Sequence, residues 1–271
     1  LRAGTSSVAR QSAADVYAVH YANLDHIPAV VPNYFVQNDP AAVTSAAYLY
    51  LDTGNGQAEA ASEIRGWSAE GFKFVYTSGI AVTALNYAPF VSKMQAAGVR
   101  YVQFDGAYQY AIKLIQAMHA HNFTPIVVID PVADDPGFIA TGGADVDGTF
   151  SFTDASLLTD TPTPADMALY EHWLQIVAPG ATPTSLGLYA WSAATLFTDQ
   201  ALALGGTLTR AGLLSSLGAV HAWTGNGLHT AQDVGGKTVA PCQAIIQVNH
   251  GAWTRASTGQ YVCGPLVPTS S

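Results

Sequence analysis

Between Ala46 and Asp130 the chain repeats one pattern three times, a short apolar run followed by a segment of helical spacing, and closes on a fourth run. Residues 46–51 stop at Asp52-Thr53-Gly54-Asn55-Gly56, and residues 72–76 stop at Thr77-Ser78-Gly79. Residues 99–104 stop at Asp105-Gly106, and residues 125–129 stop at Asp130-Pro131. Apolar runs this short suit strands buried on both faces, and the amphipathic segments between them supply the crossover helices that parallel strands require. The alternation predicts an α/β fold with a parallel sheet flanked by helices. Such sheets receive ligands at the carboxyl ends of their strands. Here those ends carry Gly, Asn, Ser and Asp, which let a ligand approach the backbone or hydrogen-bond it.

With 271 residues, 49% of them apolar, the chain can build one large or two modest domains with a full core. No run approaches the roughly 20 apolar residues that span a bilayer. A net charge of −9 argues against nucleic acid or an anionic membrane as the main partner. The two cysteines, Cys242 and Cys263, bracket an expected hairpin: residues 244–249, a His250-Gly251 turn, and residues 252–255. They are expected to form a disulfide that clips the hairpin, which implies an oxidising compartment; the alternative is two buried thiols.

Outside the repeat, an extended start at residues 1–4 leads into helical spacing at Val8, Ala14, Val16, Val19 and Tyr21. Helices are expected over 57–71, 87–97, 108–121, 165–177 and 185–204, with another starting after Thr209 as its N-cap. A strand is expected within 148–152, and 159–166 reads as a linker.

Several chemistries are excluded by spacing. Gly54-Asn55-Gly56 follows a strand, but Glu59 stands where a dinucleotide fingerprint needs its third glycine, and no acid ends the second strand. His119 and His121, two apart on a helix, point to different faces and cannot share a metal. No cofactor and no metal are expected. Asp52, Asp105 and Asp130 all lie at strand ends and could converge as catalytic carboxylates; without a nucleophile or another base beside them, caps or a polar cleft are the simpler reading.

The ordered series of segments resembles the type I periplasmic-binding-protein family, the solute-binding subunits of ABC importers for leucine, isoleucine, valine and related ligands. Residues 46–57 are similar to that family's strand and turn. Asn86-Tyr87-Ala88-Pro89-Phe90-Val91 with Ala96-Ala97-Gly98-Val99-Arg100-Tyr101-Val102 is similar to its loop, helix and next strand, and Gly106-Ala107-Tyr108 to the following turn. Asp147-Gly148, Tyr189-Ala190-Trp191-Ser192-Ala193 and the final hairpin fall in the family's order.

The resemblance implies two α/β lobes that close on a ligand in the cleft between them. It implies a helical lead-in or hinge segment over 1–45, a second lobe over 46–140, a helical part of the first lobe over 141–240, and a hairpin over 241–271 that returns to the second lobe. The family's opening strands and helices have no counterpart, so the first lobe is expected to be incomplete. Tyr108 and Asp130 are carried over as ligand contacts, and Asn55 stands where the family usually has a tyrosine, a departure from a plain branched-chain preference. Gly56 and Ser78 complete the expected ligand-binding set.

The implied function is capture of an amino acid or a related amide or carboxylate for an ABC permease. It would be performed by a monomer without catalysis, in the periplasm or outside the cell, with a lipid anchor preceding Leu1 left open. The alternatives are a ligand-sensing receptor module of the same fold, or an α/β hydrolase-like enzyme using Asp52, Asp105 or Asp130.

Overall fold

The computed structural model describes residues 13–19, 25–130 and 135–269. The extended start expected at residues 1–4, together with Val8, Tyr21 and Pro131, lies outside them. The chain divides into two compact units. One comprises Leu1–Ala22 and Asp154–Cys242, the other Asn23–Thr153 and Gln243–Ser271.

The larger unit is built on a mixed sheet in the order β3-β2-β4-β5-β6-β7-β8. Its strands are β2 (Ala46–Leu51), β3 (Phe74–Ile80), β4 (Tyr101–Asp105), β5 (Ile126–Ile129), β6 (Phe150–Thr153), β7 (Cys242–Asn249) and β8 (Ala252–Arg255). The pairs from β3 to β6 are parallel, as the alternation predicts, and β6-β7-β8 are antiparallel. The hairpin turns at His250 (φ 52°) and Gly251 (φ 74°), the doubly positive turn whose twist suits a two-residue connection. Cys242 and Cys263 are disulfide-bonded, which ties the start of β7 to β9 (Val262–Cys263), a strand that pairs with β7.

One expected strand moved. Residues 72–76 were to end before Thr77-Ser78-Gly79, yet β3 runs on to Ile80 in register with β2, Leu51 opposite Ile80. Parallel pairing along a buried neighbour outweighs the local turn preference of Ser and Gly. At the start of the described chain, residues 13–19 make a turn at Ala14–Asp15 and no helix. A separate ribbon pairs β1 (His26–Pro28) with β10 (Leu266–Pro268), antiparallel.

The helices of this unit are α1 (Val30–Asn38), α2 (Pro40–Val43), α3 (Gly54–Ala69), α4 (Ala88–Ala96), α5 (Tyr108–Ala120) and α6 (Pro136–Gly142). The chain steps from β2 outward to β3 and then back across β2 to β4. Right-handed crossovers in opposite directions place α3 and α4 on opposite faces of the sheet. Helix α3 packs on β2 and on the β1–β10 ribbon, while α4 and α5 pack on each other. The α3 face carries an aromatic core in which Phe35 meets Tyr101 edge-on at 5.0 Å and Trp67 lies 5.2 Å from Phe72. A Cβ on Gly66 would fall 2.5 Å from Ile27 Cδ1, so glycine lets α3 settle onto β1.

The smaller unit contains α7 (Ala165–Val177), α8 (Ser185–Leu204) and α9 (Arg210–Gly218), with the first two bounded where the sequence predicts and α9 capped by Thr209 Oγ1 accepting from Gly212 N. Leu188, Met167 and Leu196 fill its core. Beneath them a polar chain is fully paired. Trp223 Nε1–H donates to Ser192 Oγ (2.9 Å), Ser192 Oγ lies 2.7 Å from His229 Nε2, and His229 Nδ1 lies 2.9 Å from the Thr230 carbonyl. A carbonyl can only accept, so Nδ1 carries the proton and Nε2 receives the serine hydroxyl. Beside it the Asp154 carboxylate accepts from Tyr189 OH and from Gln232 Nε2, the latter at 2.7 Å. Ser192 and His229 are buried, so this serine–histidine contact is core architecture.

Candidate functional site

In an open α/β sheet the loops on either side of the strand where the winding reverses diverge, and the gap they leave at the carboxyl ends is where ligands bind. Here the reversal falls between β2 and β4. The loop after β2 opens α3: Thr53 caps the helix, its Oγ1 accepting from Gly56 N at 3.1 Å. The loop after β4 opens α5 at Tyr108.

Both loops close on Leu51. A Cβ on Gly56 would lie 2.5 Å from the Leu51 carbonyl oxygen, and a Cβ on Gly106 (φ 149°) would lie 2.6 Å from Leu51 Cγ. Glycine is therefore required at each by close approach, and at Gly106 by backbone conformation as well.

The structure places the five expected contacts as follows. Asn55 is exposed in the first turn of α3, and Gly56 is buried beside it. Tyr108 is half-buried at the start of α5. Its hydroxyl abuts Gly137 in the first turn of α6, where an added Cβ would come within 2.4 Å, and its ring meets Phe138 edge-on at 6.5 Å. Asp130 follows β5, half-buried, its backbone N donating to the Phe104 carbonyl at 3.1 Å. Ser78 lies inside β3 opposite Leu49, two residues before the strand ends, because β3 runs longer than the sequence suggests.

Of the three aspartates considered as a catalytic set, only two meet. Asp105 and Asp130 follow one another across β4 and β5, whose last registered pair is Phe104–Ile129, and their side chains are hydrogen-bonded. Asp52 is exposed and is not among the groups acting on Asp105. Burial pushes the Asp105 carboxyl well above the ordinary value of 3.8, and the negative charges of Asp130, Glu59 and Glu63 push it the same way.

On the same face Tyr48, fully buried, donates its hydroxyl to Glu63 Oε2 at 2.7 Å. Burial and then Glu63 raise the Tyr48 phenol well above its usual range. The expected ligand set omits Asp105. The available signal was that strand residues two apart share a face: Tyr101, Gln103 and Asp105 on β4, and Ile126, Val128 and Asp130 after it.

Among the described residues no group of three metal-ligating side chains occurs, and no helix is long and apolar enough to cross a membrane.

A sheet whose winding reverses over glycine-gripped loops, edged by a tyrosine and an acid pair, is the architecture in which α/β proteins hold small molecules. The chain belongs to the periplasmic-binding-protein family: the family described as "Periplasmic binding protein" matches residues 5–252. The proteins of that family are solute-binding proteins and not enzymes. No curated protein matches the chain by sequence.

Among solved structures, a fatty acid ABC transporter substrate-binding protein from Thermomonospora curvata superposes with a TM-score of 0.79 at 14% identity, covering 97% of this chain and 68% of that one. A branched-chain amino acid ABC transporter protein from Thermus thermophilus with bound valine gives 0.75 at 12% identity, covering 92% and 67%. The leucine-binding protein LivK of Thermotoga maritima gives 0.74 at 14% identity, covering 97% and 71%. The chain thus spans about two thirds of the length of these similar structures, and at such identities the likeness is one of fold.

Proposed function

We propose that this chain is the solute-capturing subunit of an ABC-type importer, taking an amino acid or a related small amide or carboxylate at the carboxyl ends of β2, β4 and β5. Asn55 and the Gly56 backbone face the solute from the start of α3, Ser78 from β3, Tyr108 from α5, and Asp130 from the end of β5. The observation that carries this reading is the pair of glycine-gripped loops at the winding reversal, with Tyr108 opening α5 after one of them and Asp130 beside Asp105 after β5, in a chain that belongs to this family. Leucine, valine and fatty acids, named for the similar structures, share a carboxylate; the first two add an ammonium group, which an acid at the strand edge would favour.

The partner is a membrane permease that recognises the loaded protein, and the loaded protein acts as a monomer. The Cys242–Cys263 disulfide supports a periplasmic or extracellular location, and a lipid anchor is compatible with it.

The test is a thermal-unfolding screen against amino acids, their amides, aromatic acids and fatty acids. A ligand at 100 times its dissociation constant adds about 2.7 kcal/mol to the folded state, readily seen in the melting temperature. A response to one chemical class supports capture and names the solute. A cooperative melt that no class moves, even at high concentration of each solute, counts against it.

A further inference from the structure

At the amino ends of β5 and β6, opposite the strand ends where the winding reverses, the sheet and the last turns of α5 leave a cavity of about 230 Å³. Its walls are apolar: Ile115 and Met118 from α5, Val127 from β5, and Phe123 from the turn between them. Ile115 and Met118 are buried, and Phe123 and Val127 are half-buried.

The mouth is acidic. Asp145, on the short helical turn Gly143–Val146, and Asp147, which follows that turn, stand there with His119. Asp145 Oδ2 accepts from Gln116 Nε2 at 3.1 Å, while Oδ1 lies 3.8 Å from His119 Nδ1, beyond hydrogen-bond length. Asp147 Oδ1 accepts from Gly251 N at 3.4 Å. A carboxylate offers two oxygens with about four lone-pair sites, so both acids keep capacity for an added donor. Helix α5 also ends here, and a helix C-terminus carries partial negative charge. Among the described residues that line the cavity there is no lysine or arginine.

An apolar chamber with a negative mouth selects a molecule with an apolar body and a positive end. Volume narrows the body. An apolar cavity of about 150 Å³ holds benzene, so this one has room for a single ring and a short arm. A ring also suits these walls, since it can meet the Met118 sulfur and the edge of Phe123.

We propose that this cavity is a second small-molecule site, which takes an arylalkyl ammonium ion: the ring lies among Ile115, Met118, Phe123 and Val127, and the ammonium group donates to Asp145 Oδ1. The site goes beyond the capture reading and does not rest on it. Helix α5 starts at Tyr108 and ends at the cavity, and its 13 residues span about 20 Å, too far for one small molecule to touch both ends.

Phenethylammonium chloride is the probe, and sodium phenylpropionate, of matching size and opposite charge, is its control. The chain has three methionines, Met94, Met118 and Met167, and of these Met118 alone lines the cavity. Nuclear magnetic resonance of isotope-labelled methionine methyls therefore reads this site and not the capture site. The Met118 signal is assigned by its loss in Met118→Leu, a volume-conserving exchange.

At millimolar concentration phenethylammonium should shift the Met118 methyl saturably and leave Met94 and Met167 in place. Phenylpropionate should move none of the three. Asp145→Asn should weaken the amine about ten-fold, the worth of one hydrogen bond to a charged group. Thr124→Trp, which fills the mouth from an exposed position, should abolish the shift. A Met118 methyl that the amine leaves still, or that phenylpropionate moves as far, overturns the proposal. So does an Asp145→Asn protein that binds the amine as tightly as wild type. The comparison of amine with acid in the wild-type protein decides the matter even where a variant fails to fold.

Discussion

A carboxyl buried among other acids is held against its own chemistry, and Asp105 is such a residue: burial first, and then the charge of Asp130, push it well above its ordinary range. Because it holds the proton more tightly folded than unfolded, the folded chain carries the extra proton between the ordinary value of 3.8 and its own raised value. Raising the pH through that interval removes stability. Asp105→Asn, neutral at every pH and still able to donate an N–H to Asp130, should raise the melting temperature above wild type at neutral and alkaline pH. The gain should shrink toward zero as the pH falls to about 4, as melts across a pH series would report; a gain that grows on acidification contradicts it.

Asp154 offers the opposite case, an acid fully repaid by its neighbours. Asp154→Ala strips acceptors from Tyr189 OH and Gln232 Nε2. Loss of a buried acceptor costs about 1–3 kcal/mol, a loss that denaturant unfolding would measure. At this scale the sequence was partly legible. Asn55, Tyr108 and Asp130 each follow the end of a strand, because strand termini are marked by Gly and Asp. The Asp105–Asp130 bond was not legible, since it depends on which strands are neighbours and in what register.

Elements are set by period and punctuation, and where the period was strong the expectation held: α7 and α8 span 165–177 and 185–204 as helical spacing predicts, and in the structure Thr184 caps the start of α8, its side chain accepting from Gly187 N. Failure came at β3, where Thr77-Ser78-Gly79 reads locally as a stop and the strand continues because β2 offers unbroken pairing. The β7–β8 hairpin was legible from its His250-Gly251 turn, but its place beside β6 in the parallel sheet was not legible from either period and came only from the family resemblance, for long-range partners leave no local mark.

Close helix packing gives a sharp test at this scale. Gly56→Ala sets a Cβ against a backbone carbonyl, and Gly66→Ala sets one against a buried isoleucine, Ile27. Overpacking of this kind costs about 1–3 kcal/mol. Gly66→Ala should lower stability without altering ligand response, while Gly56→Ala should lower both, because it displaces the loop that opens α3. Calorimetry with and without the solute separates the two.

The whole molecule is threaded so that neither compact unit is one continuous stretch of chain: the path passes between them near residues 22, 153 and 242. The disulfide closes late in this path, joining Cys242 to exposed Cys263. Reduction should cost about 3 kcal/mol, as loop closure of this size predicts, seen as a lower melting temperature in reductant. Truncation after Arg255 should do more. It removes β9, β10 and the Thr269 carbonyl that accepts from Arg65 Nε, and it should abolish a single cooperative melt.

Pairing β1 with β10 also has a meaning in time. The ribbon on which α3 rests joins residues 26–28 to residues 266–268, and β7 returns to β6 after an excursion through three helices. A ribosome or a translocation channel releasing this polypeptide from its amino end hands over the final pieces of the sheet last. Until then the larger unit stays open along one edge and pliable. On the export that the proposed role requires, lateness of closure is itself useful, since what cannot finish folding early cannot jam the passage.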